Sequence, residues 1–195
     1  MLIIIKTYHM KKMLILTFFI GITFSCQAQI LPIEKKIDYI SSRDGIPESV
    51  TYFKDINNVL DKFVGTWKGI YDGKNYEFRV SKITTKPRRV TEDKLVMRYL
   101  ITNSNGIVIE DTRALPDSSP YVIKGNYIEK NTYFLTYIGK NAKCGQKGTL
   151  MIDFLKDNSN TKMNLFFSSS REIIYENDCS GFKQIMPLKE IILTK

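Results

Sequence analysis

Apolar and polar side chains alternate along most of the chain from Gly65 onward. Successive side chains of a β-strand point to opposite faces, so a period of two predicts strands with one buried and one solvated face. The apolar positions of five such stretches are Tyr76, Phe78 and Val80; Leu95, Met97, Tyr99 and Ile101; Tyr133, Leu135 and Tyr137; Leu150, Ile152 and Phe154; and Met163, Leu165 and Phe167. These stretches predict a sheet wrapped around a shared apolar interior.

Turn-forming residues separate the alternating stretches. Asp72-Gly73 lies between two strand patterns and suits a tight hairpin with positive φ. Asn105-Gly106 occupies an equivalent place between Ile101 and Val108. Short links of this kind favour strands that are antiparallel to their neighbours in sequence. Polar residues at 129–131 and 157–160 provide further connections.

The remaining patterns set the limits of the fold. Residues 54–63 place Ile56, Val59, Leu60 and Phe63 at helical spacing, which predicts one short N-terminal helix. Residues 185–193 predict a last strand, in which Pro187 favours a sheet edge or a bulge. No long helical pattern separates the strands, so parallel βαβ units are not expected. We predict an all-β fold, an antiparallel meander of about eight to ten strands closed into a barrel. An open sandwich is the alternative.

The chain begins with the pattern of a secretory signal. Lys11-Lys12 precede an apolar run of 13 residues, Met13 to Ser25, whereas a membrane-spanning helix needs roughly 20. We therefore predict that residues 1–28 form a signal segment that is removed, and a retained membrane anchor is the alternative. Met10 is a second candidate start. Residues 29–51 read as a tether or loosely ordered arm, and residues 52–195 as a single barrel-like domain.

The processing site and the cysteines are linked. Thr23-Phe24-Ser25-Cys26 resembles a bacterial lipoprotein box, which predicts lipidation of Cys26; ordinary cleavage after Ala28 is the alternative. Lipidation would leave Cys144 and Cys179 as a pair, and export permits a disulfide between them. Two buried thiols are the alternative to that bridge. These features predict an outer-membrane lipoprotein or a periplasmic protein, with secretion as the alternative.

Composition and charge exclude several classes of chemistry. The single histidine, His9, lies in the predicted signal segment, so the mature chain would lack Ser-His-Asp catalysis and histidine metal sites. We expect no enzymatic activity, no cofactor and no bound metal. The signal segment holds three of the nine formal net positive charges, which leaves +6 for the remainder. This moderate excess favours solubility and weak attraction to anionic surfaces.

Carboxylates are the remaining candidates for acid–base chemistry. Glu110 and Asp111 are adjacent on a predicted strand, so their side chains should point to opposite faces and not converge. Glu176 and Asp178 could share a face but lie near a predicted turn, and Asp153 lies within an apolar strand. Surface or turn roles are therefore the preferred interpretation of all five.

A basic stretch follows the second alternating region. It contains Lys82, Lys86, Arg88, Arg89 and Lys94 around Pro87. Such a loop can receive an anionic ligand or touch membrane headgroups, and a solvated loop is the simpler interpretation. Nucleic-acid binding is not expected, because the predicted export removes the protein from that partner.

Residues 52–69, YFKDINNVLDKFVGTWKG, resemble the opening of a family of small exported proteins from Bacteroidota whose function is unknown. The resemblance extends over most of the mature chain, including Cys144-Gly145-Gln146 and the final Ile192-Leu193-Thr194-Lys195. It implies an exported protein but no particular activity.

Within that opening, the stretch from Phe63 to Lys68 is similar to the start of the lipocalins and fatty-acid-binding proteins, the calycin barrels. The resemblance implies a lipocalin-like barrel in which Trp67 plugs one end and Gly65 permits close backbone approach. A core tryptophan at a strand start is the simpler alternative. Many lipocalins place an arginine of the last strand against the tryptophan, whereas this chain offers Lys189 and Lys195. No C-terminal Arg-x-Tyr pair occurs, so fatty-acid binding does not follow.

Aromatic residues on the predicted strands are the candidates for a ligand cavity. The inward-facing candidates are Tyr76, Phe78, Tyr99, Tyr133 and Tyr137. A tyrosine ring is apolar and its hydroxyl polar, so these side chains can either line an amphipathic cavity or simply pack.

Three hypotheses of function follow. The first is a lipocalin-like envelope protein that binds a small hydrophobic ligand. The second is an envelope interaction module with a filled interior, and the third is a carboxylate-dependent hydrolase. A continuous internal cavity would separate the first from the second.

Overall fold

The computed structural model describes residues 28–86, 88–155, 160–170, 179 and 184–195 of the chain. These residues contain one short α-helix, α1 (Lys36–Ile40), and three 3₁₀ turns, Ile33–Lys35, Asp61–Phe63 and Ala142–Cys144. The strands are β1 (Gln29–Pro32), β2 (Val50–Lys54), β3 (Gly65–Tyr71), β4 (Lys74–Thr85), β5 (Thr91–Asn103), β6 (Val108–Asp111), β7 (Ile123–Glu129), β8 (Thr132–Ile138), β9 (Lys147–Phe154), β10 (Lys162–Ser169) and β11 (Ile191–Thr194). In this part of the chain no helix has the length and apolar character needed to cross a membrane.

Eight strands form a closed antiparallel barrel. Their order is β5-β4-β3-β11-β10-β9-β8-β7, and β7 pairs again with β5. The closing contact joins Val96 to Lys124 and Met97 to Ile123. Closure gives each barrel strand a neighbour on both sides, so the remaining sheet edges among the described residues lie outside the barrel. The predicted antiparallel all-β barrel is confirmed, and the open sandwich is excluded.

Strand β5 organises the elements outside the barrel, because three strands share the edge that faces away from β4. Strand β2 pairs with its start in parallel, β7 with its middle and β6 with its end. Strand β1 adds to β2, also in parallel. The N-terminal strands and β6 therefore lie at opposite ends of one long strand.

The predicted alternation sorts side chains between the interior and the surface. The apolar positions of the five stretches are buried, except that Phe154 is partly exposed. Full burial of one such side chain contributes about 1.5–3 kcal/mol to folding. The hairpin predictions also hold, since Asp72 and Gly73 have φ of 49° and 67° between β3 and β4, and Gly106 has φ of 78°.

The predicted helix over residues 54–63 is wrong, and the short helix is α1. Only Asp61–Phe63 forms a 3₁₀ turn. The Asp55 carboxylate accepts hydrogen bonds from the backbone N–H groups of Val59 and Leu60 at 2.8 and 3.3 Å. A side-chain acceptor of this kind competes with helical hydrogen bonding, and it folds the segment into a tight turn. Only Leu60 and Phe63 of the four spaced apolar residues are fully buried against the barrel, whereas Ile56 is 50% exposed.

Two further segments differ from their predictions. Residues 29–51, predicted as a tether or loosely ordered arm, contain β1 and α1, and Ile33 is buried in the core. The last strand begins at Ile191 and not at residue 185. Pro187 cannot donate a backbone hydrogen bond, and residues 184–190 instead cross the barrel end with Met186 in the core.

Candidate functional site

The two ends of the barrel differ in chemistry. One end, here called the disulfide end, carries the Asp72-Gly73 turn and the Ala142–Cys144 turn. The other, here called the basic end, carries the Asp55–Phe63 turn and the β4–β5 connection. Candidate sites lie at the basic end, inside the barrel and on the outer flank of β6.

Trp67 fills the interior at the basic end. Its side chain is fully buried, and its indole N–H donates to the carbonyl oxygen of Phe63 at 2.8 Å. The ammonium group of Lys195 lies 5.3 Å from the centre of the indole ring. A Cβ atom added to Gly65, where φ is 139°, would lie 2.6 Å from the Lys195 side chain. Lysine therefore occupies the place beside the tryptophan where the calycin resemblance implied arginine.

The five aromatic candidates for a ligand cavity are all buried in the core, and four of them form a continuous chain of ring contacts. The ring-centre distances are 6.1 Å for Tyr76–Phe78, 6.3 Å for Phe78–Tyr99 and 6.3 Å for Tyr99–Tyr137. Tyr133 lies 5.9 Å from Phe63. These distances are those of direct aromatic contact. The candidate rings are therefore buried side chains of the core that contact other aromatic rings.

Three of the four inward tyrosine hydroxyl groups, those of Tyr76, Tyr99 and Tyr133, make hydrogen bonds with the protein, whereas the Tyr137 hydroxyl is buried without a hydrogen-bond partner in the described part of the chain. Tyr76 donates to the carbonyl oxygen of Ile185 at 2.8 Å, and Tyr99 donates to Glu110 at 3.0 Å. Burial, followed by the neighbouring Tyr137 and then Glu110, raises the pKa of Tyr99 far above its ordinary value. Burial likewise raises the pKa of Tyr76. Both phenols stay protonated and act as internal hydrogen-bond donors.

The carboxylate candidates do not converge. Glu110 points inward to Tyr99, whereas Asp111 points outward and binds the guanidinium of Arg113 at 2.9 Å. Asp153 faces outward and accepts a hydrogen bond from Asn164 at 3.0 Å. The opposite orientations of Glu110 and Asp111 confirm the prediction that adjacent residues of this strand do not converge. Glu176 and Asp178 lie outside the described residues.

The predicted disulfide is present at the disulfide end. Cys144 and Cys179 are bridged, with their Cα atoms 5.5 Å apart, which confirms the pairing. Nearby, the side-chain amide of Gln184 donates to the carbonyl oxygen of Gly145 at 3.0 Å. The bridge and this hydrogen bond tie the β10–β11 connection to the β8–β9 loop. Cys26, the predicted lipidation site, lies outside the described residues.

The predicted basic stretch divides into groups with different roles. Lys82 forms ion pairs with Asp55 and Asp61, and its side chain remains 32% exposed. Arg89 donates to four backbone carbonyl groups between Ile46 and Val50 at 2.9–3.1 Å, so it holds the segment before β2. Lys86 and Arg88 are exposed. The stretch is therefore partly structural and partly a free cationic surface.

A buried ion pair from distant parts of the chain lies beside this stretch. Lys36 of α1 donates to one oxygen of Glu92, and Lys94 donates to the other at 2.7 Å. Burial alone would raise the pKa of Glu92, but the hydrogen bonds and charges of the two lysines outweigh it and hold the pKa below its ordinary value. No sequence pattern pointed to Lys36, because it lies 56 positions from Glu92.

Two hollows flank this ion pair on the outer surface. One, of about 280 Å³, is lined by Lys36, Arg88, Arg89 and Glu92. The other, of about 350 Å³, is lined by Thr85, Lys86, Lys94, Asp117 and Lys124. The Thr85 hydroxyl oxygen is buried and makes no hydrogen bond within the described part of the chain. Both hollows combine cationic side chains with apolar ones, and only the second includes hydroxyl-bearing residues, Thr85 and Ser118.

We expect Glu92→Gln to lower the free energy of unfolding at neutral pH by about 2 kcal/mol, because it leaves two lysines without their charged acceptor. The pKa of Glu92 is lowered in the folded state, so its contribution is complete above the pKa of the unfolded chain and is lost as the pH falls through the folded pKa. The difference in unfolding free energy between wild type and variant should therefore shrink below about pH 4.5, the ordinary pKa of a glutamate side chain.

Urea unfolding across this pH range measures the difference. Glu129→Gln, which changes an exposed carboxylate at the same end, is the matched control and should behave as wild type. A difference that is equal at neutral and acidic pH would contradict the charge-based account.

Strand β6 was not identified as a site from the sequence. Ile107, Val108 and Ile109 are 63%, 57% and 41% exposed. Within the described residues β6 pairs only with β5, so its other edge is open. The signal available was the uninterrupted apolar run after Gly106, which breaks the alternation of the neighbouring strands.

Comparison with known proteins gives a family but no function. No curated protein and no solved structure matches the chain. The sequence pattern of a family of unknown function, DUF6705, matches residues 10–195. The match covers the barrel, α1 and both cysteines of the bridge, so the chain belongs to this family of unknown function.

Proposed function

We propose that the protein is an exported, lipid-anchored envelope protein without catalytic activity that binds another envelope protein on the outside of its barrel. The disulfide supports the export, because such bridges persist in oxidising compartments. Pairing of Cys144 with Cys179 leaves Cys26 as the third cysteine, in a sequence suited to lipidation.

The contacts among the interior side chains favour a partner on the outer surface over a ligand inside the barrel. The rings of Tyr76, Phe78 and Tyr99 lie in direct contact. The hydroxyl groups of Tyr76 and Tyr99 donate hydrogen bonds to acceptors within the protein. A small hydrophobic ligand would have to displace these contacts. Recognition on the outer surface requires no such rearrangement.

The open edge of β6 supports a protein partner. Natural proteins protect exposed sheet edges with charges, prolines or coverings, and an apolar edge marks a place for strand pairing. An extended segment of a partner can add as a strand beside β6, with backbone hydrogen bonds and apolar contacts to Ile107 and Val108.

Native mass spectrometry of the protein purified from its own envelope fraction tests the proposal. The expected mass is that of a chain beginning at an acylated Cys26, with the bridge intact and no small molecule retained. A stoichiometric hydrophobic ligand would overturn the filled-interior account and restore the carrier hypothesis. A chain cleaved after Ala28 would overturn the lipid anchor.

Site-specific photocrosslinking in the producing cells tests the edge. We expect a photoreactive residue at Val108 to crosslink one protein partner, and Val108→Lys to reduce binding of that purified partner. Phe166 provides the matched control, since it is also exposed and lies on β10, four strands from β5 in either direction around the barrel. Equal crosslinking from both positions, or binding unaffected by Val108→Lys, would refute recognition at β6.

A further inference from the structure

We propose that the protein docks its basic end onto the phosphate-bearing headgroups of anionic phospholipids, which orients the barrel on the membrane. This proposal deepens the envelope attachment stated above and rests on it. The surface concerned, here called the basic face, comprises Lys36, Lys86, Arg88, Arg89, Lys94 and Lys124.

The basic face has a large excess of positive charge. Its six cations line the two adjacent hollows, which contain two carboxylates, Glu92 and Asp117. Glu92 is shared between Lys36 and Lys94, and Asp117 is paired with Arg98 outside the hollows. The local excess is concentrated on Lys86, Arg88 and Lys124, which have no carboxylate partner within the described residues.

The start of the described chain lies beside this face. The backbone N–H of Gln29 donates to the carbonyl oxygen of Ser49 at 2.7 Å. Arg89 binds the carbonyl oxygens of Glu48 and Val50 on either side of Ser49. Cys26 precedes Gln29 by three residues, a span of at most about 10 Å. A lipid on Cys26 would therefore bring the basic face to the bilayer surface.

The chemistry of the hollows suits a phosphate ester. Ammonium and guanidinium groups bind phosphate oxygens by charge-assisted hydrogen bonds. Thr85 places a buried hydroxyl oxygen without a partner in the described structure in the same hollow as Lys86 and Lys124. Stable membrane attachment commonly combines an acyl anchor with a polybasic surface, and the two features lie together here.

Vesicle flotation tests the proposal without the anchor. The protein is produced as the mature chain from position 26 with Cys26→Ser and without the signal segment, so that neither an acyl chain nor the apolar signal contributes to binding. The vesicles contain phosphatidylcholine alone, or equal parts of phosphatidylcholine and phosphatidylglycerol. We expect binding to the anionic vesicles only, and weaker binding at higher salt.

Three substitutions probe the face without disturbing its structural cations. Lys86→Gln, Arg88→Gln and Lys124→Gln together should lower the partition coefficient on anionic vesicles by about tenfold or more. Lys36, Arg89 and Lys94 are left unchanged, because they hold backbone or ion-pair partners. The matched control removes three exposed lysines at the disulfide end and should bind as wild type: Lys140→Gln, Lys143→Gln and Lys189→Gln. Circular dichroism establishes that both variants are folded.

Three outcomes would overturn the docking. The first is a parent protein that binds neither vesicle, and the second is an equal loss of binding in both triple variants, which would indicate net charge and not a face. Displacement by inorganic phosphate, but not by chloride of the same ionic strength, would assign the hollows to a soluble anion. Mass spectrometry of Cys26 is independent of these measurements, so failure of the docking and failure of the anchor are distinguishable.

Discussion

Replacing Trp67 with alanine is expected to lower the free energy of unfolding by about 3–5 kcal/mol, the range for removing a large buried aromatic side chain. The indole is fully buried at the basic end, where it makes an edge contact with Phe154 at 5.7 Å between ring centres. Its N–H satisfies the carbonyl group of Phe63, so alanine would leave both a cavity and an unpaired acceptor. Urea unfolding followed by circular dichroism measures the loss.

The same strand supplies the control. Ile70 lies on the outer face of β3 and is 73% exposed, so Ile70→Ala should change stability by less than about 0.5 kcal/mol. If Trp67→Ala were equally mild, the interior at the basic end would not depend on the tryptophan. The plug suggested by the calycin resemblance would then be wrong.

The barrel was predictable because two local signals agree over most of its length. Inward residues such as Phe78 and Tyr99 follow the period of two, and turns such as Asp72-Gly73 require backbone conformations that few residues adopt. Closure adds no new sequence signal, because β7 meets β5 through only two pairs of residues.

The elements outside the barrel were less predictable because tertiary contacts create them. Helix α1 has five residues, too few for a clear helical period. It is held in part by Lys36, whose ammonium group donates to the carbonyl oxygen of Asn126 at 2.6 Å, 90 positions away. Residues 54–63 have a helical spacing of apolar positions that made a helix equally plausible there. The Asp55 carboxylate instead accepts a hydrogen bond from the backbone N–H of Val59, which favours a turn.

The candidate sites were only partly predictable for the same reason. The sequence grouped Lys82 to Lys94 as one basic stretch, but the structure pairs Lys82 with Asp55 and Asp61, whereas Lys86 has no carboxylate partner among the described residues. It also adds Lys124, which reaches this surface because β7 pairs with β5 at Val96. A charged surface is therefore defined by strand register as much as by local composition.

Removing the disulfide is the second large perturbation. The bridge joins residues 35 positions apart, and the chain-entropy relation gives about 4 kcal/mol for a loop of that length. We expect the double variant Cys144→Ala/Cys179→Ala to lose stability of this order in urea unfolding. Cys26→Ser, measured in the same background, should leave the unfolding free energy unchanged because it removes no crosslink in the barrel. Comparable losses from both variants would contradict a specific role for the bridge.

The losses of unfolding free energy caused by Trp67→Ala and by removal of the disulfide should also add. Measuring their sum tests whether the two ends of the barrel are stabilised independently. Trp67 lies at the basic end, whereas the bridge lies at the disulfide end and ties down a segment that buries Met186. Losses at separated sites add within about 0.5 kcal/mol unless the sites share contacts. Aromatic rings in contact with one another run between the two ends. A coupling energy larger than about 0.5 kcal/mol would therefore mean that a substitution at one end changes the packing at the other. Additivity would instead indicate that each end is stabilised locally, which leaves the basic end free to bind a membrane while β6 binds its partner.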